Sequence, residues 1–369
     1  MDLFFDHKEE NDEPSVDAGL SEGTERIKHD LAPGQNMDRK RNRLYQLNSE
    51  AEKYYAYQLR GKFGAAGRDY LLRRGLTKET IRRFGLGYAP DSFNRLYNYL
   101  KKKGYSDEEL RESGLVRFNT KGTACDFFRN RVIYPILDRD DLVIGFGARS
   151  LGEGGPKYIN LQETLVFDKG GTLFGINLAR KTRQPYLLLC EGYMDVIMLQ
   201  QAGFNSAVAT LGTALTKRHA LQLRQYTDRI VICYDNDGAG KNAAMRAIPL
   251  LREAGLDIRV IDLKPYKDPD EFVRNEGTDA FGNRLEQALD AFLFQSDVWK
   301  SGYRLDDPAD LTAFYKRLAM ELLDLKDSQE QYNNLTAVCE RYSISRELLL
   351  DEVGRINLGQ TASKRQIYI

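Results

Sequence analysis

Between residues 43 and 60 apolar side chains recur at helical spacing, at Leu44, Leu47, Ala51, Tyr54, Tyr55 and Leu59. That period predicts an amphipathic helix whose tyrosines belong to a core. Residues 67–103 read as short helices broken at Gly75, Gly85 and Gly87, with Thr77 placed to cap one of them. Residues 131–149 alternate and are rich in β-branched side chains, which predicts a strand pair turning at Asp138–Asp141. From Tyr186 the pattern changes. Short apolar runs at Tyr186–Cys190, Ser206–Thr210, Arg229–Tyr234 and Asp257–Leu263 alternate with helical stretches at about 194–203, 216–226 and 239–254. Strand–helix alternation with short connections predicts a parallel sheet covered by helices on both faces. Beyond Glu276 the pattern is helical to about residue 355.

The expected fold class is therefore α/β, or α+β overall. A parallel sheet flanked by helices is preceded by a mixed, basic subdomain and followed by a helical one. The expected divisions are an acidic disordered tail over 1–40, the basic subdomain over 41–182, the sheet domain over 183–275, the helical subdomain over 276–355 and a polar tail over 356–369.

Charge sharpens this division. Lys plus Arg and Asp plus Glu number 54 each, but residues 1–30 hold ten acids against three bases, so the remainder carries an excess of seven positive charges. A basic body suits a polyanionic partner. No run approaches the ~18 apolar residues of a membrane span, and the acidic start is not a signal peptide, so a cytoplasmic protein with no membrane partner is expected. The four cysteines, Cys125, Cys190, Cys233 and Cys339, form no C-x-x-C pair, and no zinc is expected in this chain. With histidine only at positions 7, 29 and 219, chemistry is left to carboxylates, lysines and arginines.

The carboxylates fall where an open parallel sheet binds ligands, beyond the carboxyl ends of its strands. Glu191 ends LLLCE, and Asp235 and Asp237 follow the third strand in YDNDGAG. Taken separately, Asp-Asn-Asp-Gly could be a turn and Glu191 a helix N-terminal acid. Together they concentrate negative charge in one crevice, which is unfavourable without a cation. Oxygen ligands suit magnesium, and paired metals can clamp both oxygens of an in-line phosphoryl displacement. Asp268 and Asp270, spaced two apart in KDPDE after the fourth strand, are candidate supports.

The series EGYMDV, ATLGTAL, YDNDGAG and KDPDEF resembles the Toprim domain of bacterial DnaG-type primases. RRGLTKETIRRFGLGYAP, FRNRVIYPILD, IGFGARSLG and PKYIN resemble the preceding part of the primase RNA-polymerase core, and the likeness covers roughly residues 43–350. It implies Glu191, Asp235 and Asp237 as catalytic and metal-binding acids, with Asp195, Asp268 and Asp270 as further metal-site acids. It implies Arg74, Arg149, Lys157 and Lys169, with the retained Arg129 and Arg131, as the groove for template, primer and nucleotide. Asp126-Phe127-Phe128 departs from the family, which has arginine in the middle. An N-terminal zinc-binding module and a C-terminal helicase-binding domain are expected to be lacking.

The resemblance thus implies a DNA primase core that synthesises RNA primers from ribonucleoside triphosphates on single-stranded DNA, using Mg2+ or Mn2+. Replicative helicase and a separate zinc-binding template reader are the further partners it suggests. A Toprim nuclease, or a non-catalytic remnant binding single-stranded DNA or helicase, are the rival readings.

Overall fold

The computed structural model describes residues 33–152 and 154–366. They form two compact units that divide after Asp168, ahead of the boundary expected at 182/183.

The first unit opens with α1 (Pro33–Arg60), which starts well before residue 43 and takes up the end of the expected tail. The rest of that tail lies outside the described residues. The apolar stripe is buried as anticipated, with Leu47 and Ala51 fully enclosed and Tyr55 packed edge-on against Tyr54. The extra turns carry no such stripe. Ion pairs of Lys40 with Glu112 at 2.9 Å and of Arg43 with Glu109 at 2.6 Å hold them instead.

Next come α2 (Ala65–Arg73) and α3 (Lys78–Arg83), the latter capped by the Thr77 side chain, which accepts from Thr80 N at 3.1 Å. The segment β1 (Gly87–Ala89), which begins at one of the expected breaks between helices, is a strand. A Cβ at Gly87 would lie 2.5 Å from Tyr55 Cβ, so glycine is what lets β1 press against α1. Then follow α4 (Arg95–Lys102), α5 (Asp107–Glu112), β2 (Val116–Phe118), β3 (Ala124–Asp126), β4 (Arg131–Leu137), β5 (Val143–Ser150) and β6 (Tyr158–Asn160). The order β1-β4-β5-β6 is antiparallel throughout, and β2 pairs with β3. Asp138 closes the β4–β5 turn by accepting from Asp140 N at 2.9 Å and Leu142 N at 3.0 Å.

The second unit contains α6 (Ile176–Ala179), β7 (Leu187–Cys190), α7 (Tyr193–Gln201), β8 (Ala207–Ala209), α8 (Lys217–Arg224), β9 (Arg229–Cys233), α9 (Gly238–Glu253), β10 (Asp257–Val260) and α10 (Pro269–Glu286). A short β11 (Leu289–Asp290) interrupts the stretch expected to be all helical. It is followed by α11 (Ala291–Lys300), α12 (Pro308–Leu323), α13 (Ser328–Tyr342) and α14 (Arg346–Gln366). Thus the segment expected as a polar tail from 356 continues α14.

The sheet order is β11-β10-β9-β7-β8, with every pair parallel except β10–β11. Leu187 and Leu189 join the core formed with Ala220 and Leu223 of α8 and Ala244 and Ile248 of α9. Leu188 and Cys190 alternate to the opposite face. The helices α11–α14 share a separate core around Phe292, Phe314, Leu318 and Val338. Among the described residues no helix is long and apolar enough to cross a membrane.

Candidate active site

The chain places β8 on one side of β7 and then returns to place β9 on the other. Strand order therefore switches between β7 and β9, the position at which parallel sheets open a ligand crevice. Glu191 follows β7 there, and Asp235 follows β9 by two residues. The Asp235 amide donates to Glu191 Oε1 at 3.1 Å, which ties the two strand ends together. Burial raises the Glu191 carboxyl above its ordinary range, and the charges of Asp235 and Asp237 raise it further. Asp235 is also raised, first by burial, although the neighbouring Lys267 opposes the shift.

Lys267 was not predicted as a site residue. Its Nζ lies 3.1 Å from Asp235 Oδ2, and its carbonyl accepts from Asn236 N at 2.6 Å. The KDPDE segment thereby binds the YDNDGAG loop through both backbone and charge. Only a lysine directly before the D-P-D spacing hinted at this in the sequence.

The remaining acids have individual duties. Asp237 caps α9, accepting from Gly240 N at 2.9 Å, and Asp268 caps α10, accepting from Glu271 N at 2.7 Å. Asp195 accepts from Gly192 N at 3.1 Å and is nearly enclosed. Burial, reinforced by Asp268, Asp235 and Asp270, holds its carboxyl well above the usual carboxylate range. Asp270 is fully buried and pairs with Arg274 at 2.9 Å. Thus the six predicted metal-site acids share one end of the sheet without forming a ready-made cage. Among the described residues no three His, Cys, Asp or Glu side chains are placed to hold a metal ion. The donor set nevertheless fits a hard divalent cation. It consists of carboxylate oxygens, and the burial, with neighbouring negative charge, that raises Glu191 and Asp235 disfavours their ionised forms, which such a cation would stabilise.

Gly240 fixes this arrangement sterically. A Cβ there would fall 2.0 Å from the Asp235 carbonyl oxygen and 2.9 Å from Glu191 Oε1. The buried His219, in contrast, is structural. Its Nδ1 accepts from Thr216 N at 3.2 Å, leaving Nε2 to donate to the Lys169 carbonyl at 2.9 Å.

In the first unit four predicted basic residues gather along one strand rim. The Arg149 guanidinium stacks 4.2 Å from the Tyr70 ring centroid, and Arg74 Nη1 donates to Tyr70 Oη at 3.3 Å. Arg149 pairs across the sheet with Tyr158, the neighbour of the exposed Lys157. Arg131 Nη1 donates to the Pro156 carbonyl at 3.2 Å. The Arg149 guanidinium stacked on Tyr70 and the exposed Lys157 ammonium are of the kind that suits phosphate. Arg129 is engaged elsewhere in the unit, 4.2 Å from the Phe93 ring centroid. Lys169 belongs to the second unit.

A switch-point parallel sheet with an acid after each of two central strands defines a Toprim protein, and residues 188–273 match the Toprim-like family. Residues 54–180 match the family described as DNA primase catalytic core, N-terminal domain. The chain belongs to the DnaG-type primases and corresponds to their catalytic core. The DNA primase of Clostridium acetobutylicum is 40% identical over 313 residues, covering 85% of this chain and 52% of that protein. A DNA primase domain from Pseudomonas aeruginosa superposes with a TM-score of 0.72 at 34% identity, covering 84% of this chain and 99% of that one. A DnaG primase catalytic domain bound to single-stranded DNA gives 0.71 at 34% identity, covering 82% and 99%. The chain spans about half the length of the curated relatives it matches. Toprim primases are metal-dependent as a family.

Proposed function

We propose that this chain is the catalytic core of a DNA-templated RNA polymerase that makes short primers from ribonucleoside triphosphates. The observation that carries the reading is the pairing of Glu191 and Asp235 at the sheet's switch point, in a chain of the primase family. Glu191, Asp235 and Asp237 would hold Mg2+ or Mn2+, which when bound supplies charge neutralisation at the attacking and departing oxygens. Asp268 contributes negative charge to the same cluster, and Asp195 and Asp270 support it from the interior. Lys267 keeps a positive charge against Asp235 and sets the spacing of the two acidic loops.

Single-stranded DNA is the proposed template, as the relative solved with it suggests. Arg74, Arg131, Arg149 and Lys157 would take its phosphates or those of the nucleotide, with Arg129 and Lys169 as further contacts. Replicative helicase and a zinc-binding template reader are the proposed partners in the cell, where the protein works in the cytoplasm.

Incubation of the chain with single-stranded DNA, ribonucleoside triphosphates and Mg2+ or Mn2+ tests this directly. Labelled RNA of primer length is the expected product. Asp235→Asn is expected to reduce its formation by at least about a hundredfold, on the scale of losing charge stabilisation in the transition state. Undiminished synthesis by that variant, or cleavage of the DNA in place of synthesis, contradicts the reading.

A further inference from the structure

Beside the acid pair lies a cavity of about 340 Å³ lined by Glu191, Thr210, Thr213, Tyr234 and, from α9, Arg246. It opens beyond the ends of β7, β8 and β9. Ala239 and Ala243 are the α9 residues that precede Arg246 on the cavity wall. At spacings of four and three they share one helix face, and their small side chains leave the space that the guanidinium overlooks.

Arg246 differs in one respect from Lys267 and Arg274. Lys267 is committed to Asp235 and Arg274 to Asp270, yet among the described residues no carboxylate forms an ion pair with Arg246. The side chain is exposed and lies within electrostatic reach of Tyr234. A guanidinium without an ion pair on the wall of a cavity that two threonines also line offers forked N–H donors and hydroxyls to the same guest. Water, sugar or a neutral base would leave the positive charge uncompensated. A phosphate ester matches both it and the hydroxyls, and Arg246 offsets the repulsion that Glu191 would exert on such a guest.

We propose that Arg246, with Thr210 and Thr213, forms a phosphate subsite beside Glu191 that seats one end of the reacting nucleotides. This rests on the polymerase reading of the site. The phosphate would come either from the incoming triphosphate or from the backbone of the growing strand. Each would be drawn to the same guanidinium, and the kinetics separate them.

The test uses the full chain, an RNA oligonucleotide annealed to a longer DNA template, ribonucleoside triphosphates and Mg2+. Arg246→Gln is expected to raise one KM roughly tenfold or more, as loss of a charge-assisted contact implies. A rise in the triphosphate KM assigns the subsite to the incoming nucleotide. A rise in the primed-template KM, with a salt slope of binding shallower by about one, assigns it to the strand backbone. Arg246→Lys, which keeps the point charge, is expected to recover part of either loss. Unchanged KM values and salt slope in Arg246→Gln overturn the proposal, even if kcat falls.

If the wild-type chain extends no primer, the polymerase reading fails on its own. Equilibrium binding of the primed template and of ribonucleoside triphosphate then decides the subsite. Wild-type affinity for both in Arg246→Gln overturns it, and a tenfold loss for either supports it. Melting curves of both variants confirm that the exposed position leaves the fold intact.

Discussion

Asp270 is completely enclosed and pairs with Arg274, four residues on in α10. A carboxylate in that position depends on the cation more than the cation depends on it, because Arg274 retains access to water while Asp270 does not. Removing the arginine takes a cation away from a buried carboxylate, and breaking a buried ion pair at one partner is destabilising. Since Arg274 is partly exposed, solvent screening reduces the effect, and we expect Arg274→Ala to cost about 2 kcal/mol in urea unfolding. Asp270→Asn should cost less, and the double variant should be less destabilised than the sum of the two. Additive losses would show that the pair does not act as a unit. Lys267 differs from Arg274 in being largely exposed. Its contribution lies in the spacing of the two acidic loops and much less in stability.

At the scale of elements, the decisive contacts are those between the end of a strand and the start of the next helix. After β9 the chain must turn sharply enough for Asp237 to cap α9 while Asp235 remains beside Glu191. That turn leaves no volume at Gly240. Gly240→Ala would force a Cβ against the Asp235 backbone, which, unlike a flexible side-chain tip, cannot yield locally. The expected result is a loss of roughly 1–3 kcal/mol of stability, accompanied by loss of primer synthesis as the acid pair separates. Gly238→Ala, where the added carbon meets no neighbour within 4 Å, serves as the control. Equal behaviour of the two variants would remove the steric argument.

The same scale explains what the sequence made legible. Glu191 and Asp235 were readable because each directly ends an apolar run, and strand ends in a parallel sheet face one crevice. Thr77 and Asp138 were readable because capping and turn closure are local hydrogen bonds. The three-residue β1 was not, since it is buried throughout and shows no alternation. Its identity as a strand depends on pairing with Arg131–Ile133, far along the chain. The inward placement of Asp270 and the reach of Lys267 to Asp235 likewise depend on how α10 docks, and the spacing of D-P-D does not encode that.

In the whole molecule, each unit has a sheet of its own, and the acids and the strand rim of basic residues lie on different units. A divalent cation should therefore act on the second unit through its carboxylates. Glu191 and Asp235 are both raised by burial and by neighbouring negative charge, so the folded state holds unfavourable electrostatic energy at neutral pH. A ligand that binds only the folded chain stabilises it in proportion to the logarithm of its concentration above Kd. Raising Mg2+ or Mn2+ from micromolar to millimolar should thus increase the melting temperature. Hydrogen exchange should slow in peptides covering β7, β9 and the start of α9, with β4 and β5 as reference peptides that carry none of these acids. Glu191→Gln and Asp235→Asn relieve the repulsion by another route. Each should raise stability in metal-free buffer and diminish the further gain from added cation. This opposite response in the two buffers separates an ion held by these carboxylates from general screening by salt, which would slow exchange equally in wild type and variants. If the variants gain as much from the cation as the wild type does, the ion is held elsewhere.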